Sequence, residues 1–425
     1  VNVAAGEKVF SLDDATGLRR AVNNAVYSVP VTDIHTHLYA PPFKDLLLWG
    51  VDELLTYHYL IAEFFRVSPM PYGQFWAMPK ARQAETIWEA LFINRSPLSE
   101  SCRGVLTCLH RLGLDTSSRN LADYRAWFAD QEPGDYVDKV LKVANLESVV
   151  MTNDPFDLLE RPVWESGYDG DPRFHGVLRI DPLLNDWTNA HARLLADGYE
   201  VSSDLSAKCL SEVRRFLDAW VKRFKALYMA VSLPPEFRMP EESPRARILE
   251  ECVLPVAREH NIPFAMMIGV TRAVNPALKL AADGVGKSSL DPVTYLCATY
   301  PQNKFMITLL ARENQHELCV VARKFRNLLP FGCWWFLNNP SLIEEMTRMR
   351  IELLGTSVIP QHSDARVLDQ VIYKWEHSRE IISKVLSFKY ADLVATGWAL
   401  RDGEIRRDVR LLLGGNFWDF LKLQL

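Results

Sequence analysis

The 425-residue sequence has no long apolar run, no excess of basic charge and no paired cysteines. Its most apolar stretches, Phe264 to Val270 and Phe305 to Ala311, fall far short of the ~18 to 20 residues that a membrane-spanning helix needs. No membrane crossing is therefore expected. Lys plus Arg is 48 and Asp plus Glu is 53, a net charge of −5, which argues against a basic face for nucleic acid. The basic scatter around Arg245 to Arg247 and Arg401 to Arg410 alternates with acids and reads as solvated helix faces. The seven cysteines (Cys102, Cys108, Cys209, Cys252, Cys297, Cys319 and Cys333) include no Cys-x-x-Cys and form no dense framework. That favours a reducing compartment, and the cytoplasm is the expected location. Val1 to Asp14 shows no basic segment followed by an apolar one, so no signal peptide is expected. With 48% hydrophobic and 24% charged residues, disorder and collagen-like structure are excluded.

Eight short apolar runs with strand character stand out instead. They are Val29 to Leu38, Ser148 to Asn153, Gly176 to Asp181, Leu227 to Leu233, Pro263 to Gly269, Lys304 to Leu310, Leu329 to Phe336 and Thr356 to Gln361. Helical periodicity fills most of the connections, as in Ser211 to Phe224, Ala246 to His260 and Gln315 to Asn327. Such alternation predicts an α/β fold, a (β/α)₈ TIM barrel. An open doubly wound sheet would satisfy the same alternation, but eight units exceed the usual ~5 to 6 strands of a sheet. The first connection, Tyr39 to Glu147, is too long for one crossover helix and must hold structure of its own. It reads as helices over Asp52 to Arg66, Tyr72 to Phe92, Ser99 to Leu112 and Leu121 to Ala144. The expected division is a barrel from 1–38 and 146–425, with 39–145 as a helical insertion covering one mouth. Extra helices are expected in the tail from Arg366 to Leu425.

Barrel chemistry sits at the C-terminal ends of the strands, where this chain is unusually polar. Strand one ends in Asp33, His35 and His37; strand three carries Arg179 and Asp181; strand eight runs into His362, Asp364 and Arg366. Histidines one residue apart on a strand point to the same side, so His35 and His37 can offer two imidazoles to one cation. Asp364, from the closing strand, can supply a third ligand, a set that suits Zn²⁺ or Mn²⁺. His58 and Tyr59 lie in an apolar helical pattern and, on periodicity alone, read as core side chains with a polar tip. Trp334 and Trp335 read first as packing, although a place after strand seven would let one of them line a pocket. His110, His175, His191, His260 and His377 have no partner at metal spacing, and His316 is placed at a helix start. His362, on the same face as Asp364, stays open between the two readings.

The segments Thr32 to Leu38 (TDIHTHL), Trp49 to Leu60 (WGVDELLTYHYL), Gly332 to Phe336 (GCWWF) and Ser363 to Arg366 (SDAR) resemble the uronate isomerase (glucuronate isomerase) family of the amidohydrolase superfamily. The resemblance runs over essentially the whole chain. It implies a distorted barrel holding one divalent metal on His35, His37 and Asp364. Zn²⁺ is the first expectation, with Mn²⁺, Fe²⁺ and Co²⁺ as alternatives. Leu227 to Pro234 lacks the Lys or acid, and Pro263 to Val270 the His, with which hydrolases of the superfamily build a second site. The implied reaction interconverts D-glucuronate with D-fructuronate and D-galacturonate with D-tagaturonate. A proton moves from C2 to C1 through a cis-enediol while another shifts from O2 to O1. By the same resemblance Asp364 initiates C2 proton removal, Tyr59 donates to the C1 carbonyl oxygen and shuttles between O1 and O2, and Arg366 binds O2 and O3. His58, Trp334 and Trp335 line the substrate site, and Arg179 suits the sugar-acid carboxylate. A hexuronate is thus the expected partner, with no nucleic acid and no membrane. The aromatics of the inserted helices are compatible with a homo-oligomer. Two rival classes are a metal-dependent hydrolase on the same barrel and a catalytically silent barrel that binds sugar acids.

Overall fold

The computed structural model describes residues 8–11 and 14–425. Among the described residues there are ten strands: β1 (Val31–Asp33), β2 (Leu146–Val150), β3 (Phe174–His175), β4 (Leu178–Arg179), β5 (Met229–Leu233), β6 (Phe264–Ile268), β7 (Val270–Thr271), β8 (Gly284–Val285), β9 (Phe305–Leu309) and β10 (Leu328–Pro330). Strands β1-β2-β3 form one parallel sheet and β10-β9-β6-β5-β4 a second. Every residue of β5, β6 and β9 is buried, as expected of parallel strands covered on both faces. The architecture is α/β, with mostly parallel sheets.

The strand faces divide the core in two. Met229, Val231, Phe264, Met266, Phe305 and Ile307 pack into the large cluster shared with the helices. Their alternates join a separate inner cluster that draws Ile34, Val150, Val177, Ala230, Ala265, Met306, Leu329 and Ile359 from all eight runs. Phe417 and Phe420 of the C-terminal helix Asn416–Lys422 close one end of that cluster. Between the two sheets, Asn153 bridges to Leu178 in parallel.

Several expected boundaries are corrected. The eighth run, Thr356 to Gln361, is not an assigned strand; it pairs through a single parallel bridge, Phe331 with Ile359. The seventh run keeps strand structure only at Leu328–Pro330, because Gly332 turns the chain at a φ of +66°. Strands β7 and β8 pair as an antiparallel hairpin that periodicity did not foreshadow. Inside the insertion, the pattern Asp52 to Arg66 splits into Val51–Leu55 and His58–Val67. There the Thr56 hydroxyl donates to the Asp52 carbonyl and Tyr57 is extended, a local bond that competes with helix continuation. Pro79 and Pro133 divide the patterns Tyr72 to Phe92 and Leu121 to Ala144, since each lacks a backbone donor and starts a new helix. The tail is helical, with Gln370–Ala395, Asp402–Arg410 and Asn416–Lys422. All seven cysteines are free and buried, and no helix among the described residues is long and apolar enough to cross a membrane.

Candidate active site

Past β1 the chain stays extended and is held from both sides. Thr36 N donates to Val150 O at 2.9 Å, His37 N to Ala365 O at 2.7 Å, and Asp364 N to His35 O at 3.1 Å. Period-two alternation then puts the His35 and His37 imidazoles on one side, beside Asp364. Among the described residues, His35, His37 and Asp364 form the one group of three His, Cys, Asp or Glu with ligand atoms within 4.8 Å of one another. Asp364 Oδ1 lies 3.3 Å from His37 Nε2 and 3.6 Å from His35 Nε2. His35 Nε2 and Asp364 Oδ1 are buried without a hydrogen-bond partner. Two ligands at 2.0–2.2 Å on a tetrahedral ion stand about 3.4 Å apart, so these spacings fit a divalent cation held by two nitrogens and an oxygen.

Electrostatics favour the same use. Burial pushes the His35 imidazole down to about 3, with His37 and Arg179 adding to the effect and Asp364 opposing it. Burial, then Arg366, Arg179 and Lys374, push His37 well below its ordinary value. Both rings are therefore neutral at pH 7, the form that ligates a metal. The tautomer of His35 follows from Tyr228, whose hydroxyl donates to Ile34 O at 2.8 Å and lies 3.1 Å from His35 Nδ1. Its single proton is committed to Ile34, so Nδ1–H of His35 must donate to it, leaving the Nε2 lone pair free.

Asp364 itself has a φ of +51°, a left-handed conformation uncommon for a residue with a side chain. The surroundings hold it there. Asp33 accepts from Ser363 N at 3.0 Å and from Trp375 Nε1 at 2.8 Å, so this buried carboxylate ties β1 to the 363–366 segment instead of facing the cavity. His362 is wholly buried, both its ring nitrogens lack partners, and its ring stands 5.3 Å from that of His35. It is not one of the converging ligand atoms.

A cavity of about 500 Å³ opens over this group. His35, His37, Asp364, Arg179, Arg366, His58, Trp334 and Trp335 all line it. Arg179 is held by Asp181, through Nε at 2.7 Å and Nη2 at 3.0 Å, and donates to Ser232 Oγ at 3.2 Å; Nη1 is left for a ligand. Of the two tryptophans Trp334 is the more buried and joins the inner cluster, whereas Trp335 packs 5.5 Å from the His58 ring with its Nε1 unpartnered. Tyr59 stands apart from the cavity wall, which Tyr57 occupies. The Tyr59 hydroxyl is buried without a partner, and burial holds the phenol well above its ordinary range, so it is a donor and not a phenolate. At the mouth Trp76 Nε1 donates to Ala277 O at 2.9 Å, joining the insertion to the β7–β8 hairpin.

Three contributors escaped sequence reasoning. Tyr228 shares the parity of Ser232 on β5, a signal that was readable from the inward side of that strand. Lys374 belongs to the tail helix, which shows only as periodicity. Tyr57 reaches the cavity because the helix breaks before His58.

No protein-family model and no curated protein matches the chain. The chain is similar to the crystal structure of a uronate isomerase from Bacillus halodurans C-125, with 57% identity over 96% of this chain and 97% of that one and a TM-score of 0.95. A uronate isomerase from Thermotoga maritima shares the fold at 16% identity and a TM-score of 0.75, over 99% of this chain and 100% of that one. A glucuronate isomerase from Caulobacter crescentus does so at 14% identity and 0.75, over 97% and 95%.

Proposed function

The chain belongs to the uronate isomerase family, and we propose that it interconverts D-glucuronate with D-fructuronate and D-galacturonate with D-tagaturonate. The observation that carries the mechanism is the convergence of two buried, unpartnered donors, His35 Nε2 and Asp364 Oδ1, beside His37 in a cavity also lined by Arg179 and Arg366. His35, His37 and Asp364 hold one divalent ion in this reading. Zn²⁺ is the proposed ion, although Mn²⁺, Fe²⁺ and Co²⁺ suit the same donors. When bound, such an ion supplies a Lewis-acidic anchor for the carboxylate and neighbouring hydroxyl of the sugar acid.

The residues then divide the work. Arg179, oriented by Asp181, presents Nη1 to the substrate carboxylate. Asp364 is the group that takes up the proton leaving C2, through Oδ2, since Oδ1 is the oxygen turned to the two imidazoles. Arg366 opens on the cavity from two residues away and donates to O2 and O3, which steadies the enediol as charge builds on oxygen. Tyr59, protonated at any working pH, lies behind the present cavity wall; in this reading its unpartnered hydroxyl turns to the substrate, donates to O1 and carries the proton between O1 and O2. His58, neutral because burial pushes it down to about 3, lines the site with Trp334 and Trp335.

The same reading extends to architecture. The inner cluster drawn from all eight runs, and the backbone bonds that join His35 and His37 to Asp364 and Ala365, support a closed, distorted (β/α)₈ barrel formed by the described residues of 1–38 and 146–425. Residues 39–145 are its helical cover. Seven buried thiols suit a reducing compartment, and the cytoplasm is the proposed location.

Proton NMR of D-glucuronate in D₂O tests the assignment. Metal-loaded protein should form the ketose, and chelated protein should not. No turnover of glucuronate or galacturonate by the loaded protein would reject the reading and leave hydrolysis as the rival. Ser232 and Met267 line the cavity on β5 and β6, however, and neither offers a ligand for a second, hydrolytic metal.

A further inference from the structure

Positions 370, 374 and 378 form one stripe of the helix Gln370–Ala395, and that stripe grips the chain on both sides of Asp364. Gln370 Oε1 accepts from Arg366 N at 2.9 Å and Val367 N at 3.1 Å. Lys374 Nζ donates to Ser363 O at 2.5 Å, and Ser378 Oγ accepts from Gln361 Nε2 at 3.1 Å. Two of these side chains are neutral and inexpensive to bury. Lys374 is different: it is 2% exposed, it has one hydrogen bond for three donors, and burial pulls its ammonium down to about 8. A neutral donor would satisfy the Ser363 carbonyl at lower desolvation cost, so that bond alone does not account for a cation here.

The charge has a second contact. Lys374 Nζ lies 5.8 Å from the centroid of the Tyr59 ring, within the range of a cation–π interaction. Because the Tyr59 hydroxyl has no partner, the ring is oriented by what packs on it, which includes this ammonium, Tyr57 at 5.0 Å, His58 at 4.5 Å and the hydrophobic core. One side chain thus touches both the residue preceding Asp364 and the ring of Tyr59, groups brought in by distant parts of the chain.

Resting on the isomerase reading above, we propose that Lys374 is a positioning residue of the reaction, fixing Tyr59 and Asp364 relative to one another. The test is Lys374→Met, which keeps the stem and removes the charge. In metal-loaded enzyme, kcat for glucuronate should fall about 10- to 100-fold, the scale of a small misplacement of reacting groups. KM should stay within about threefold and metal content at one per chain, since the proposed ligands are untouched. The urea midpoint should fall, since the buried Asp33 and Asp364 lose a nearby positive charge and the Ser363 carbonyl loses one of its two donors, so kcat and not the midpoint carries the test. A lowered midpoint with unchanged kcat would show a structural tie only and overturn the proposal. In a Tyr59→Phe background the same substitution should cost much less than in the parent enzyme; an equal factor in both backgrounds also overturns it. Should the methionine variant not fold, Lys374→Gln, polar and neutral, carries the same comparison. Absence of ketose with the unmodified enzyme sinks the isomerase reading itself, whereas full activity in Lys374→Met sinks this inference alone.

Discussion

Tyr228→Phe isolates the part played by a hydroxyl that touches no substrate. The substitution keeps the ring, which stands 6.1 Å from that of Phe417 in the inner cluster, and removes only Oη. Two buried groups then lose their partner, Ile34 O and His35 Nδ1. Leaving such groups unsatisfied costs about 1–3 kcal/mol each, so metal-free protein should be visibly less stable to urea. The second effect is on the metal. With Nδ1 no longer held, His35 is free to take the tautomer that puts its proton on Nε2, the atom 3.6 Å from Asp364. Losing an outer partner of a ligating histidine lowers affinity about 10- to 100-fold, or about 1.4–2.8 kcal/mol. Titration of metal-free parent and variant with Zn²⁺ against a competing chromophoric chelator at pH 7.5 reads this directly. A folded variant whose affinity stays within about threefold of the parent would refute the tautomer argument, because nothing else in the site fixes the His35 proton.

Asp364→Asn should abolish turnover and weaken metal binding, measured by ketose formation and metal analysis after dialysis. Tyr59→Phe should keep one metal per chain and parent-like stability, since its hydroxyl has no partner to lose, while kcat falls sharply; equal activity would remove Tyr59 from the mechanism. Gly332→Ala should unfold readily: the added Cβ would lie 1.6 Å from His362 Nδ1, at a φ of +66°, and such overpacking costs about 1–3 kcal/mol or more. Stability of the metal-free protein should fall as pH drops from 6.5 towards 3. His35, pushed down to about 3, and His362, well below its ordinary value, stay neutral when folded and take up protons on unfolding. Each contributes up to about 1.4 kcal/mol per pH unit across that window and nothing further above it. Urea unfolding at pH 7.5, 6.5 and 5.5 gives the slope, and His362→Phe should flatten it; an unaltered slope argues against a buried neutral imidazole.

The parts of the site that were legible in sequence are those governed by short-range parity. His35 and His37 share a side because strands alternate, and Asp364 sits where the last apolar run ends. Their meeting needed only the assumption that the first and last runs are neighbours, which the His37 to Ala365 bond bears out. Seven of the eight apolar runs contain a strand, because β-branched and aromatic residues cluster there for burial on two faces. The misses have a common origin. Thr56 stops a helix through one side-chain bond, the eighth run pairs by a single bridge, and Lys374 reaches Ser363 across a tertiary contact; hydropathy records none of these.

What distinguishes this cavity is where ionisable groups are missing. Ser232 and Met267, from the middle strands, line the same cavity as His35, His37 and Asp364. Beside Ser232, Arg179 donates three hydrogen bonds to Asp181 and Ser232, and Arg272, which also lines the cavity, is paired with Asp283. A carboxylate entering the cavity therefore meets fixed positive charge at one end, while the proton-handling groups Asp364, Arg366 and Tyr59 belong to the other two chain segments. Arg179, assigned to the carboxylate, and Arg366, assigned to O2 and O3, are supplied by different parts of the fold. Arg366→Lys tests that separation, because a point charge cannot donate to two adjacent oxygens as a planar fork does. It should lower kcat with little change in KM, and a rise in KM at constant kcat would place Arg366 with the binding groups instead.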